Sequence, residues 1–159
     1  MANMCSNSVI FTIEDSEKFK HFREFLDKAE KANHKGQLPF ITTEEDAENG
    51  YKVPDSWFFD LENNCEDRFI FESKWSCPID TMVKCGREFG FSFEVEYEVD
   101  SQYGKYQFDY NDDEVWHKET PEDLYVKLSE SEDDNMYEEL DATLDALIYE
   151  PYEPYDDGE

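Results

Sequence analysis

The chain has 159 residues, enough for one compact domain with its own core, and 16% of them are aromatic, which excludes disorder throughout. Acids number 42 against 14 lysines and arginines, a formal net charge of −28. A surface of that sign repels nucleic acid and anionic membranes, and it attracts basic partners and speeds encounters with them.

The opening MANMCSNSVIF lacks the basic segment and long apolar run of a signal peptide, and no stretch reaches the ~18 apolar residues of a membrane helix. The expected compartment is the cytosol of a host cell, where Cys5, Cys65, Cys77 and Cys85 stay reduced. Their spacing makes no CxxC pair and no zinc pattern.

Ser8 to Ile13 is β-branched and apolar and predicts a buried strand. Asp15 or Ser16 caps a helix to about Ala32, with Phe19, Phe22, Phe25, Leu26 and Ala29 on one face. Gly36 marks its stop. Residues 36–55 read as a long connection holding one short helix at the Thr43 to Asp46 capping box. Ser56 to Glu62 and Arg68 to Trp75 then form a hairpin around residues 63–67. Pro78 opens a second helix, with Ile79, Met82, Val83 and Phe89 inward, and Gly90 ends it. Phe91 to Val99 alternates strictly, with Glu94, Glu96 and Glu98 on the side away from the apolar residues. A turn over Asp100 to Gly104 leads to a further strand, Lys105 to Tyr110.

The order β-α-β-β-α-β plus one strand defines an α+β, ferredoxin-like arrangement: an antiparallel sheet over residues 1–111 with both helices on one face. Residues 112–148 form an acidic helical extension packed on it, and 149–159 a flexible Tyr/Pro tail. Residues 112–159 hold 19 acids and two basic residues. One helix starts at the capping box Thr120 to Asp123 and runs to about Ser129. Another covers Asp133 to Ile148, with Met136, Leu140, Leu144, Leu147 and Ile148 on one stripe and a row of carboxylates on another side. In the tail, a polyproline II form of three residues per turn would put Tyr149, Tyr152 and Tyr155 on one side.

The opening MANMCSNSVIF with GQLPF (Gly36 to Phe40), WFFDLE (Trp57 to Glu62) and FESKWSCP (Phe71 to Pro78) resembles the YubB-type ferredoxin-like proteins of phages and plasmids. That family typically has Trp where this chain has Met4, and its Lys-Trp-Ser-Pro run is interrupted here by Cys77. The resemblance spans residues 1 to about 110 and leaves the acidic third outside. It implies a fold and a mobile-element origin, and no reaction, catalytic residue or cofactor.

Two motifs suggest chemistry. Asp109, Asn111 and Asp113 match the first ligand positions of a calcium loop, but Glu114 replaces the turn glycine and Thr120 the bidentate glutamate, so the stretch reads as an ordinary acidic loop. Cys77 sits at a helix N-terminus near Lys74, two features that lower a thiol pKa, yet His21, His34 and His117 are scattered and supply no obvious base. No phosphate-cradling loop and no GxSxG motif is present, and carboxylate pairs are too common to single one out. The expected function is therefore non-enzymatic, with no cofactor and no metal.

The partner expected is a basic nucleic-acid-binding protein or nuclease complex of the host, a defence component of the restriction or CRISPR kind, inhibited by a surface that mimics the charge of DNA. Asp133, Asp134, Glu138, Glu139, Asp141 and Asp145, assisted by Glu150 and Glu153, are the expected binding residues. Carboxylates one helical turn apart, about 6 Å by helix rise, would meet the lysines and arginines that otherwise hold phosphates. The alternative is a generic interaction module that pairs through a sheet edge, with the acidic region only solubilising. The exposed sheet face or edge also offers a route to a homodimer.

Overall fold

The computed structural model of the chain describes residues 4–31, 35–37, 57–65, 67–74, 77–131 and 135–153. The elements are β1 (Met4–Ile13), α1 (Ser16–Lys31), β2 (Lys35–Gln37), β3 (Trp57–Cys65), β4 (Arg68–Lys74), α2 (Ile79–Phe89), β5 (Phe91–Val99), β6 (Gln102–Asp109), β7 (Glu114–Glu119), α3 (Glu122–Glu130), α4 (Met136–Ala146) and β8 (Glu150–Tyr152). One antiparallel sheet joins all eight strands in the order β2-β3-β4-β1-β5-β6-β7-β8. Within it, β1-α1-β3 is a crossover between two strands that run the same way, with β4 inserted between them. The β4-α2-β5 segment repeats the device with β1 as the inserted strand, which is the arrangement the element order predicts.

The two faces separate by strand alternation. On one face Cys5, Val9 and Phe11 of β1 lie beside Phe69 and Phe71 of β4 and the odd-numbered residues of β5. Against them pack Phe19, Phe22 and Leu26 of α1 and Ile79, Met82, Val83 and Cys85 of α2. Aromatic rings dominate the contact; Phe22 and Phe91 stack at 4.8 Å, and Phe19 meets Phe91 edge-on at 5.5 Å. The polar exception is Asn7, 2% exposed, whose amide donates to Ser73 Oγ at 2.9 Å and to the Cys5 carbonyl at 3.2 Å. A satisfied buried amide is tolerated, so β1 begins at Met4, four residues before the apolar run. Gly90 closes α2 in the left-handed region at φ 69°, and a Cβ there would also fall 2.5 Å from Asp15 Cβ.

The opposite face departs from expectation. Tyr103 registers with Glu98, and so points away from the main core. It joins Leu128 of α3 and Leu140 and Leu144 of α4 in a second core. Helices therefore cover both faces: α1 and α2 on one, and α3 and α4 on part of the other. Glu94, Glu96 and Glu98 on this face are half-buried.

Several boundaries shift. The sheet does not stop at residue 111, because β7 and β8 extend it on the far side of β6. The 149–159 tail is anchored at its start: β8 pairs with β7 through Val115 and Tyr152, Trp116 and Pro151, and His117 and Glu150. In extended chain, residues three apart face opposite ways. Tyr152 accordingly packs on Tyr106 at 5.2 Å on the main-core face, while Tyr149 lies 4.4 Å under the Lys118 ammonium, and Lys118 registers with Lys105 on the other face. The expected shared side for the tyrosines is thus not formed by Tyr149 and Tyr152, and Tyr155 lies outside the described residues. Gly36 sits in β2 instead of marking a helix stop. The short helix expected near Thr43 lies outside the described residues. Thr120 does not cap α3; its hydroxyl donates to the Tyr103 carbonyl at 3.0 Å. No helix among the described residues is long and apolar enough to cross a membrane.

Candidate partner-binding site

α4 carries the expected acidic row over a shorter span than Asp133 to Ile148. Leu140 and Leu144, four apart, are 0% and 1% exposed, which fixes that side of the helix against the sheet. Glu138, Glu139, Asp141 and Asp145 consequently remain exposed, as do Glu150 on β8 and Glu153 beyond it. Asp133 and Asp134 lie outside the described residues. Ile148 falls after the helix end and is 87% exposed, so it leaves the apolar stripe.

Tyrosine hydroxyls tie this cover to the sheet. Tyr103 donates to Asp141 Oδ1, Tyr125 of α3 donates to Glu98 Oε2 at 2.5 Å, and Tyr137 of α4 donates to the same oxygen at 3.0 Å. Burial, and then these carboxylate bonds, push the three hydroxyls above their ordinary pKa. Asp141 is thus more than a displayed charge: it receives the bond from Tyr103 beneath the helix. These tyrosines were not singled out in the sequence; the signal for them is spacing, since Tyr103 falls on the same side of its hairpin as Glu98.

Beside the helical cover lies an open groove of about 470 Å³. Its position follows from side-chain size. Register aligns Tyr103, Glu98, Ser6 and Glu72 in one row across β6, β5, β1 and β4, and Glu96, Ser8, Ile70 and Glu62 in the next across β5, β1, β4 and β3. Serines on the central strand, flanked by longer side chains on both sides, leave a trough. Tyr137 closes it at the α4 end, with its ring 6.2 Å from that of Tyr103. Among the described residues, four glutamates and no lysine or arginine line it; Lys105 reaches Glu96 from outside the lining at 3.3 Å.

The other candidates resolve differently. Asp109 Oδ1 accepts from the backbone N–H of Asn111 at 2.9 Å, the Asn111 amide donates to Glu14, and Asp113 pairs with Arg87 at 2.6 Å. These oxygens build the β6–β7 turn, and among the described residues no group of three His, Cys, Asp or Glu is arranged to hold a metal ion. Cys77 is buried just before Pro78 at the start of α2. His117 Nε2 lies 2.7 Å from the Tyr97 hydroxyl, which donates to Glu119 at 2.6 Å, and the imidazole stacks on Tyr106 at 4.2 Å. Burial lowers the His117 pKa against the opposing pull of Glu119 and Glu150. This network braces β5, β6 and β7 from the main-core side.

The fold and this surface together define an α+β protein of ferredoxin-like topology with an acidic second face. The chain belongs to the family described as the ferredoxin-like domain in Api92-like protein, whose model matches residues 56–141, more than half of its length. No curated protein and no solved structure matches it. The match supports the ferredoxin-like part of the expected relationship. Its extent revises one expectation: it runs through α3 and into α4 as far as Asp141, so the acidic region to that point belongs to the family's domain and is not an addition outside it.

Proposed function

We propose that this chain is a binding protein that captures a basic, nucleic-acid-handling protein through its acidic second face. The finer reading is that of a phage- or plasmid-borne inhibitor of a host defence nuclease, acting from the host cytosol by presenting carboxylates where the partner expects phosphates. The observation that carries the proposal is α4: it is fixed to the sheet by Leu140 and Leu144, exposes Glu138, Glu139 and Asp145, and sits in a stretch with no lysine or arginine after Lys127. Charges held on a packed helix avoid the ordering cost of a mobile acidic tail.

Capture from host lysate with the full chain tests this at low and high salt, with DNA as competitor. A partner that elutes as salt rises, is displaced by DNA and is lost with Glu138→Lys/Asp145→Lys is the expected result. A partner indifferent to salt, DNA and charge reversal refutes it. Deleting residues 130–159 is not a usable control, because it removes Leu140 and Leu144 from the second core.

A further inference from the structure

At the β7–β8 edge a hydrogen count fixes the state of one imidazole. Tyr97 registers with Gly104, where a Cβ would fall 2.5 Å from the tyrosine hydroxyl, so glycine on β6 lets that hydroxyl cross the strand to β7. There it lies 2.7 Å from His117 Nε2 and 2.6 Å from Glu119 Oε1. A phenol has one hydrogen to give, and Glu119 receives it. The hydrogen of the other bond is therefore carried by Nε2, which leaves the neutral ring with its lone pair on Nδ1. The imidazole lies in an aromatic enclosure: Tyr106 stacks on it at 4.2 Å, Tyr97 lies nearly parallel at 6.0 Å, and Tyr152 of β8 stands edge-on at 6.4 Å.

We infer that β8 is an acid-loosened strap on the sheet edge, with His117 as its trigger: a proton taken up at Nδ1 weakens the hold of β7 on β8. The groups around the ring decide the sign. Glu119 and Glu150 attract the added charge, but Glu119 already takes the Tyr97 hydrogen, and Glu150 is exposed to screening water. Tyr97, Tyr106 and Tyr152 enclose the ring without a counter-charge. Asp80 of α2 accepts from the Tyr152 hydroxyl at 3.3 Å, Cys77 is buried in the main core, and Lys118 points to the other face. Burial prevails and holds the His117 pKa below its ordinary 6.5. The strap is the part that can yield. β8 has three residues, one of them a proline without an N–H; Glu150 and Pro151 are exposed, and only Tyr152 is half-buried. Opening it lets water reach the imidazolium and frees Glu150 from its place opposite His117. α4 stays docked through Leu140 and Leu144, so the strap is independent of α4 as the capturing surface.

The test is amide exchange on the full chain, read residue by residue by NMR at pH 7.5 and pH 5.5 and corrected for the intrinsic rate. Opening of the β7–β8 pairing should increase by up to about tenfold at the lower pH, the limit reached when the open state titrates at 6.5. Amides of β1 and β5 should change by less than about twofold, because the edge opens locally. His117→Gln, which cannot take up the proton, should remove the response. Glu150→Gln, which removes an attracting charge, should enlarge it. Ring-nitrogen shifts of the wild type should show the hydrogen on Nε2 at pH 7.5. Edge protection that changes by less than about twofold in the wild type overturns the inference, as does an equal response in His117→Gln. A hydrogen found on Nδ1 at pH 7.5 overturns it too, whether or not the variants fold. None of these outcomes alters capture by α4, whose own test is charge reversal at Glu138 and Asp145.

Discussion

Removing one oxygen atom should loosen the acidic cover from the sheet. In Tyr103→Phe the ring, 7% exposed, stays in the second core, and only the hydroxyl bonded to Asp141 is lost. A hydrogen bond to a charged acceptor contributes about 1.5–3 kcal/mol, and Asp141 is exposed enough for water to replace the donor, so the cost falls near the low end, about 1–1.5 kcal/mol. For a chain of this size that lowers Tm by roughly 3–5 °C. Asp141→Ala should cost about 1–2 kcal/mol in wild type, because it strands the Tyr103 hydroxyl, and close to nothing in the Tyr103→Phe background. Urea denaturation of the four proteins measures the coupling. Alkaline pH supplies a second reading with a defined sign. Burial, then the bond to Asp141, raises the folded Tyr103 pKa above its ordinary 10.0. The stability it provides is complete below that value and declines as pH rises past it, so the gap between wild type and Tyr103→Phe should narrow above pH 10. An Asp141→Ala cost that is equal in both backgrounds would show that the bond does not hold the helix, and the reasoning would fail.

Two further outcomes follow from the packing. Leu140→Ala, at a 0% exposed position, should cost about 2–5 kcal/mol in urea denaturation, whereas a helix that was merely a solubilising appendage would lose well under 1 kcal/mol. Burial pushes the Cys5 thiol to about 11 and the Cys85 thiol upward as well, so at pH 8 a disulfide reagent followed by peptide mass mapping should label both only after unfolding; rapid labelling of either in the native protein contradicts their placement in the core.

The parts of the fold that were legible in the sequence are those where local and tertiary preferences agree. Pro78 and Gly90 bracket α2, and Phe91–Val99 alternates because each odd residue meets the main core. The start of β1 is not legible locally, because Asn7 looks like a surface residue until Ser73 and Phe71 on β4 supply its partners. β7 was hidden by composition: Val115 and His117 face inward, but the charged neighbours Glu114, Lys118 and Glu119 mimic a loop. β8 was hidden by Pro151, which an edge strand tolerates. The acidic row on α4 was readable from helical spacing. The groove was not, because it arises from serines on β1 meeting glutamates on β4 and β5, contacts separated by more than sixty residues along the chain.

Both faces of the sheet also show how so acidic a chain fixes its carboxylates. With 42 acids and 14 lysines and arginines, ion pairing alone would leave most acids without a cationic partner. Pairs such as Lys105 with Glu96 and Arg87 with Asp113 hold a carboxylate but cancel its charge. A tyrosine hydroxyl does the first without the second, since it donates a hydrogen bond while remaining neutral at pH 7. Tyr97 serves Glu119, Tyr103 serves Asp141, Tyr125 and Tyr137 serve Glu98, and Tyr152 reaches Asp80 at 3.3 Å. The carboxylates are thereby held in place on strands and helices. The cost is mutual repulsion, which the aromatic bodies of the same residues offset by burial in or against the two cores. A cation arriving at such a surface meets carboxylates already oriented, and its attraction is not spent on ordering them.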